Sequence, residues 1–267
     1  MIKTLFLGIL QGLTEFLPVS SSGHLVLAQT LLGFSEPPLP FDILLHIATM
    51  LATVCFFYKS ILEALREWFL GFIRADLRSS WGWKTGWAVI VGNVATFVIA
   101  ILIKGKVAYM FQSPLLVGMS LIMTGGILWY GSGKKGTATK PDLKSGWVVG
   151  LAQGIAVIPG ISRSGITIVT ALARGFSLEE AFRFSFLLSL PAISGAAVLE
   201  LLEAGTIDNF TSSLPSDWLL GVVSSFACGL FALKILKKVV LFGKWRWFAV
   251  YCFIVGVMAL LVGMKGV

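Results

Sequence analysis

Two short runs of the chain concentrate the side chains that can do chemistry. The first holds Gln11, Glu15, Ser20, Ser21, Ser22, Gly23 and His24. The second holds Pro159, Gly160, Ser162, Arg163, Ser164, Gly165 and Thr167. Glu15 and His24 offer acid and base groups, or a carboxylate for a divalent cation. A serine becomes a nucleophile when a base sits beside it. Arg163 brings a planar, permanently charged fork that matches phosphate oxygens. A helix starting after each run would add free N–H groups and a positive dipole end, which suit an anion. Such a set describes a site for a phosphate ester or anhydride.

The spacing says how these groups must be held. Gln11 and Glu15 are four residues apart, on one helix face, and Pro18 stops that helix. Ser20–Ser22 supply an N-cap for the next helix, with His24 in its first turn. Pro159-Gly160 ends a second helix, and Thr167 shares a face with Arg163 one turn on. Plainer readings exist for each part. Serine–glycine clusters serve as close-packing surfaces between membrane helices. Glu15 and Arg163 could form a purely structural ion pair. Asp42 and His46, also four apart, read as a mutually satisfied pair near a helix end.

The elements around these runs are apolar. Of 267 residues, 57% are hydrophobic and 13% charged, and the mean hydropathy is +0.90. A soluble domain carries about 25% charged residues, so an ordinary globular protein is excluded. Clear apolar spans cover Phe41–Tyr58, Gly86–Ile103, Ser113–Tyr130, Arg183–Leu201, Asp217–Leu236 and Trp245–Met264. Each is long enough to cross about 30 Å of hydrocarbon. Met1–Leu32 and Gly146–Arg174 are apolar but broken by the two polar runs. Non-helical backbone at membrane depth must be buried in protein or line a wet cavity, so both read as re-entrant pairs of half-helices. Glu15 and His24 follow the first apolar stretch at once, which argues against a cleaved signal peptide.

The predicted fold is therefore an all-α polytopic membrane protein, one domain over residues 1–267, with six transmembrane helices and two re-entrant helical hairpins. Shifting the chain by 142 residues lays Gln11, Gly12, Ser20, Ser22 and Gly23 on Gln153, Gly154, Ser162, Ser164 and Gly165. A shift of 143 lays Phe41, Leu44 and Leu45 on Phe184, Leu187 and Leu188. Each half, about 1–140 and 141–267, has one hairpin and three spans. Three is odd, so the halves are expected to form an inverted repeat with the site between them. Placing the Lys59–Lys84 segment inside puts sixteen of the 21 Lys and Arg inside and four outside, with Arg163 left in the second break. The net charge of +8 is then a topology signal rather than a nucleic-acid footprint. Loops 33–40 and 202–216 carry no Lys or Arg and fall outside. The Lys59–Lys84 stretch is expected to be an interfacial amphipathic segment. Three scattered cysteines form no framework and read as small apolar residues.

The run Gln11-Gly12-Leu13-Thr14-Glu15-Phe16-Leu17-Pro18-Val19-Ser20-Ser21-Ser22-Gly23-His24 resembles the first signature of the undecaprenyl-diphosphate phosphatases, the bacitracin-resistance family. Pro159-Gly160-Ile161-Ser162-Arg163-Ser164-Gly165-Ile166-Thr167 matches the second. Gln11 stands where many members have Glu. The resemblance implies a hydrolase that removes the terminal phosphate from a C55 polyprenyl diphosphate, recycling a lipid carrier of cell-wall synthesis, in the bacterial cytoplasmic membrane. It implies that Glu15, His24 and Arg163 are catalytic, with Ser21 at the proposed nucleophile position. Gln11, Ser20, Ser22, Ser162, Ser164 and Thr167 are expected to bind phosphate, with His24 as the base for Ser21 or a water and Glu15 orienting His24 or holding the metal. A divalent cation, Mg²⁺ or Ca²⁺, is implied, resting on Glu15. Membrane lipids and the lipid substrate are the expected partners, with no nucleic acid; a homodimer is compatible with the chain. The site is expected to open to the outer side. A lipid-phosphate flippase or transporter built on the same repeat is the alternative.

Overall fold

An apolar run inside hydrocarbon can satisfy its backbone only as a helix or within a closed barrel. The computed structural model describes residues 2–31, 39–134, 136, 141–203, 210–211 and 214–264, and the long apolar runs among them are helical. In order come α1 (Ile2–Phe16), α2 (Ser21–Leu31), α3 (Leu39–Gly71), a 3-10 turn (Ala75–Ser79), α4 (Trp81–Phe111) and α5 (Pro114–Gly131). The second half runs α6 (Leu143–Ile155), α7 (Arg163–Ala173), α8 (Leu178–Glu203), α9 (Trp218–Leu241) and α10 (Trp245–Met264). No strand occurs among the described residues. Six helices, α3, α4, α5, α8, α9 and α10, are long and apolar enough to cross a membrane. The chain is an all-α, multi-pass membrane protein.

The two broken segments fold as pairs of short helices. At about 1.5 Å per residue, the 15-residue α1 reaches only about 23 Å and the 11-residue α2 about 16 Å. The 13-residue α6 and 11-residue α7 are similarly short of the ~30 Å hydrocarbon core. Pro18 acts as expected, since α1 stops two residues before it. Helix α6 ends at Ile155, earlier than Pro159-Gly160 implies, and residues 156–161 turn back through a series of short hydrogen bonds. Asp142 caps the entry to α6 and accepts the Ser145 N–H at 2.7 Å. Hydrogen bonds from Ser145 hold that carboxyl below its ordinary range, helped by the charges of Arg174 and Lys144.

Both breaks are built alike. Ser20 Oγ accepts the Gly23 N–H at 3.3 Å and lies 3.3 Å from Ser22 Oγ. Ser162 Oγ accepts the Gly165 N–H at 3.1 Å and lies 3.3 Å from Ser164 Oγ. Each serine thus caps the following helix. The Pro18 carbonyl accepts from Cys252 Sγ on α10, and the Gly160 carbonyl accepts from Thr124 Oγ1 on α5 at 2.8 Å. The breaks meet back to back, for a Cβ on Gly23 would stand 3.1 Å from Gly160 Cα.

The main helix contacts survive exchange of the halves. Helix α1 packs on α9, as α6 packs on α4; α5 packs on α10 and α3 on α8. Small residues let these backbones touch, as membrane helix packing requires. A Cβ on Gly8 would lie 2.2 Å from Gly221 O at the α1–α9 crossing. A Cβ on Gly150 would lie 2.1 Å from Gly92 O at the α4–α6 crossing. Glycine at these points is a requirement of close approach.

The Lys59–Lys84 stretch does not form an element of its own. Helix α3 continues without interruption to Gly71, and α4 starts at Trp81. Trp68, Phe72, Trp83 and Trp87 form edge-on contacts where the two helices meet, while Phe69 and Phe72 stay more than half exposed. Glu67 accepts the Gly82 N–H at 2.6 Å, and Arg183 pairs with Glu63 while stacking 3.4 Å over Trp81. Loop 33–40, loop 202–216 and Lys135, Lys140 and Lys265 of the charge count lie wholly or largely outside the described residues.

Replacing Gly150 with Leu should separate α4 from α6. Overpacking of this kind costs on the order of 1–3 kcal/mol, and more where backbone must move. The check is a lower melting temperature of the detergent-purified protein, with the same substitution at Gly126, which faces open space, leaving it unchanged.

Candidate active site

The two breaks bring Glu15 and Arg163 together across 148 residues of sequence. Glu15 Oε1 accepts from Arg163 Nη2 at 2.6 Å. Its other oxygen, Oε2, accepts from Ser21 Oγ at 2.6 Å and from Gln11 Nε2 at 2.9 Å. His46 Nε2 stands 3.7 Å from the same oxygen. Glu15 is buried, so its charge needs these donors; one unpaired there would cost several kcal/mol. Arg163 Nη1 is buried without a partner, as is Gln11 Oε1. A buried orphan guanidinium N–H calls for an anion.

A cavity of about 150 Å³ opens over this cluster. Its polar wall is Glu15, Ser20, Ser21, Ser22, His46, Ser162 and Arg163, and its apolar wall includes Val157, Ile161 and Ile193. The residues read from sequence therefore divide. Glu15, Ser21, Arg163, Ser20, Ser22 and Ser162 face the cavity. Gln11 lies behind Glu15 and reaches the site only through it. Ser164 donates to the Phe16 carbonyl at 3.0 Å, tying the second break to α1. Thr167 bonds the Arg163 carbonyl at 2.7 Å and Ser185 Oγ at 2.6 Å, tying α7 to α8. Neither Ser164 nor Thr167 lines the cavity.

His24 makes an interhelical hydrogen bond, and His46 is the histidine that lines the cavity. His24 makes no contact with Glu15 or Ser21. Its Nδ1 is 2.7 Å from the Ser20 carbonyl, and its Nε2 is 2.8 Å from the Tyr251 hydroxyl of α10, on which the ring stacks. Ser20 is the one non-glycine residue with positive φ among the described residues, at 69°. His24 thus braces a backbone conformation costing on the order of 1–3 kcal/mol. The expected Asp42–His46 side-chain pair is absent. Gln29 Nε2 bonds both Asp42 carboxylate oxygens, at 3.0 and 2.9 Å, while His46 Nδ1 lies 2.8 Å from the Asp42 backbone carbonyl. That leaves Nε2 of His46 turned to the cavity. The sequence carried a signal for His46, an ionisable residue within an apolar span, but its local spacing pointed to the wrong partner.

Magnesium binds through one or two carboxylates plus substrate oxygens, and calcium needs six to eight oxygens. No group of three His, Cys, Asp or Glu able to hold a metal occurs among the described residues. Glu15 is already engaged by a guanidinium, a hydroxyl and an amide. These residues do not fit a metal site built by the protein alone.

A buried carboxylate–guanidinium pair, with serines and two capped helix starts around a small cavity, makes a site suited to an oxyanion within a multi-pass membrane protein. Residues 4–258 match the family described as bacitracin resistance protein BacA, and the chain belongs to that family. The undecaprenyl-diphosphatase of Desulfosudis oleivorans is 42% identical to it, over 99% of each chain. The undecaprenyl-diphosphatases of Methanosphaera stadtmanae and Desulforapulum autotrophicum are 37% and 40% identical, over 98% and 96% of each chain.

Breaking the buried pair from one side should be costly. Arg163→Met alone should destabilise the protein by about 3–5 kcal/mol, and adding Glu15→Gln should recover much of that, as read by thermal melts in detergent. Equilibrium dialysis of substrate-free protein against Mg²⁺ should show no stoichiometric uptake at micromolar concentrations.

Proposed function

We propose that this protein hydrolyses undecaprenyl diphosphate to undecaprenyl phosphate and inorganic phosphate, recycling the lipid carrier of cell-wall polymers and so conferring bacitracin resistance. The observation that carries this reading is the convergence of Ser21 and Arg163 on opposite oxygens of Glu15 in one cavity. The names of the relatives agree with it.

The geometry supports a specific division of labour. Ser21 already donates its proton to Glu15 Oε2, so Glu15, rather than His24, is the base beside the nucleophile. As Ser21 Oγ bonds to the terminal phosphorus, its proton passes to Glu15 and the bridging P–O bond breaks. Undecaprenyl phosphate leaves with the bonding electrons. Water then attacks the phosphoserine, frees inorganic phosphate and restores Ser21. Arg163 stays tied to Glu15 through Nη2 and offers Nη1 to a phosphate oxygen as charge develops. The N–H groups opening α2 and α7 add fixed partial positive charge. Since the protein does not build a metal site, any divalent cation comes with the diphosphate, and no step here runs through it.

The setting is read from the same features. The two short-helix pairs act as re-entrant hairpins, because neither helix of either pair is long enough to span. The halves form an inverted repeat, supported by the matched serine caps and by helix contacts that survive exchange of the halves. With the cationic loops inside, the protein sits in the cytoplasmic membrane and the site opens outward. The isoprenoid tail lies along the apolar wall toward bilayer lipid. Every group invoked comes from one chain, so the reaction calls on no second copy.

Ser21→Ala should lower phosphate release from a polyprenyl diphosphate by about 10²–10⁴-fold, while loss of its bond to Glu15 lowers stability by only about 1.5–3 kcal/mol and leaves the protein folded. Labelled phosphate should be trapped on Ser21 in the parent after rapid acid quench. Near-parental turnover of Ser21→Ala would replace the serine with a bound water. Arg163→Lys, which keeps the charge and loses the fork, should still cost about 10²-fold.

A further inference from the structure

His46 is the polar cavity residue left without a role. It comes from α3, not from either break, and neither signature run includes it. Its ring is held from behind: Nδ1 bonds the Asp42 carbonyl at 2.8 Å, one turn back on the same helix. That turn is itself fixed, since Gln29 of α2 grips both oxygens of the Asp42 carboxylate. The bond at Nδ1 sets the orientation of the ring and sends Nε2 toward the cavity. Nε2 stands 3.7 Å from Glu15 Oε2, too far for a hydrogen bond. No protein atom takes it. About a third of the side chain is accessible, and it lines the same cavity wall as Ser21 and Arg163.

We propose that His46 is a further substrate-binding residue, whose Nε2 makes a hydrogen bond with an oxygen of the bound diphosphate, accepting from a protonated phosphate oxygen or donating to a bare one when both ring nitrogens carry protons. The inference rests on the diphosphate reading of the site. Arg163 reaches the cavity from α7, the serines from the two breaks, and His46 from α3. A contact from α3 adds a third element to the two breaks in holding the anion. A diphosphate oxygen drawn between Nε2 and Arg163 Nη1 would give the orphan Nη1 a partner and Nε2 a hydrogen bond in place of its 3.7 Å approach to Glu15. His24 cannot supply this contact, because both its ring nitrogens are engaged.

The test separates binding from turnover. The probe is an isoprenyl methylenediphosphonate, in which carbon replaces the scissile bridging oxygen, titrated into the full-length protein in detergent micelles. His46→Ala should weaken its binding about tenfold. His46→Gln, whose side-chain amide can donate from nearly the same place, should bind within threefold of the parent. In phosphate-release assays the Ala variant should show its loss chiefly in KM, with kcat within threefold. Unchanged melting temperatures would show that both variants fold, as the accessibility of the ring leads one to expect. Parental binding by His46→Ala would overturn the proposal, and so would equal losses for Ala and Gln. Tight probe binding by a parent that releases no phosphate would defeat the phosphatase reading while leaving the role of His46 standing.

Discussion

The ion pair between Glu15 and Arg163 is the constraint to which the rest of the fold answers. Two charges at this depth are tolerable only if their geometry is good and their remaining hydrogen-bonding capacity is met. Glu15 gains three donors besides the neighbouring imidazole, one each from α1, the start of α2 and the start of α7. Those donors arrive together only if both helices break where they do. The breaks in turn are stable only because each serine cap satisfies a freed N–H, and because α5 and α10 satisfy a freed carbonyl in each. The glycine crossings hold α1 and α6 at the depth this requires.

The two halves contribute matching scaffolds and unlike chemistry. On the 142-residue shift, Ser20 falls on Ser162, and both face the cavity. Glu15 falls on Val157 and Ser21 on Arg163, and all four also line it. The cavity therefore straddles the relation between the halves. A strictly repeated sequence would offer two carboxylates or two arginines facing each other, and either pair would repel. The departures from repetition give one anion that holds a cation on one oxygen and a hydroxyl on the other.

Much of this was legible in the sequence because the membrane makes polarity expensive. Six spans followed from hydropathy, and the breaks from Pro18, Pro159-Gly160 and the serine runs. Glu15 and Arg163 stood out because a charge at that depth must be functional or paired, and they proved to be partners. What the sequence could not settle was direction. Thr167 shares a helix face with Arg163, yet its hydroxyl turns to Ser185 on α8, a neighbour that no local spacing identifies. Asp42 and His46 have the spacing of a pair, but Gln29 competes for the carboxylate from another helix and wins. The Lys59–Lys84 stretch has an interfacial composition, and which aromatics it brings together across the helical hairpin, Trp68 on Trp87 and Phe72 on Trp83, no local spacing identifies.

The placement of His24 shows how a residue can matter to a site it does not touch. Ser21 meets Glu15 only because the chain reverses sharply at Ser20, in a conformation that a β-carbon disfavours. The Ser20 carbonyl is anchored by His24 Nδ1, and the ring is anchored by Tyr251 through both a hydrogen bond and a stack. Helix α10, which adds no residue to the cavity wall, thereby sets the position of the serine. A glycine at residue 20 would relieve the backbone cost but lose the cap to Gly23 and with it the start of α2. The serine keeps the cap, accepts the strain, and leaves His24 to hold it. The position of Ser21 is thus set by a chain of contacts running from α10 through an imidazole to the Ser20 carbonyl.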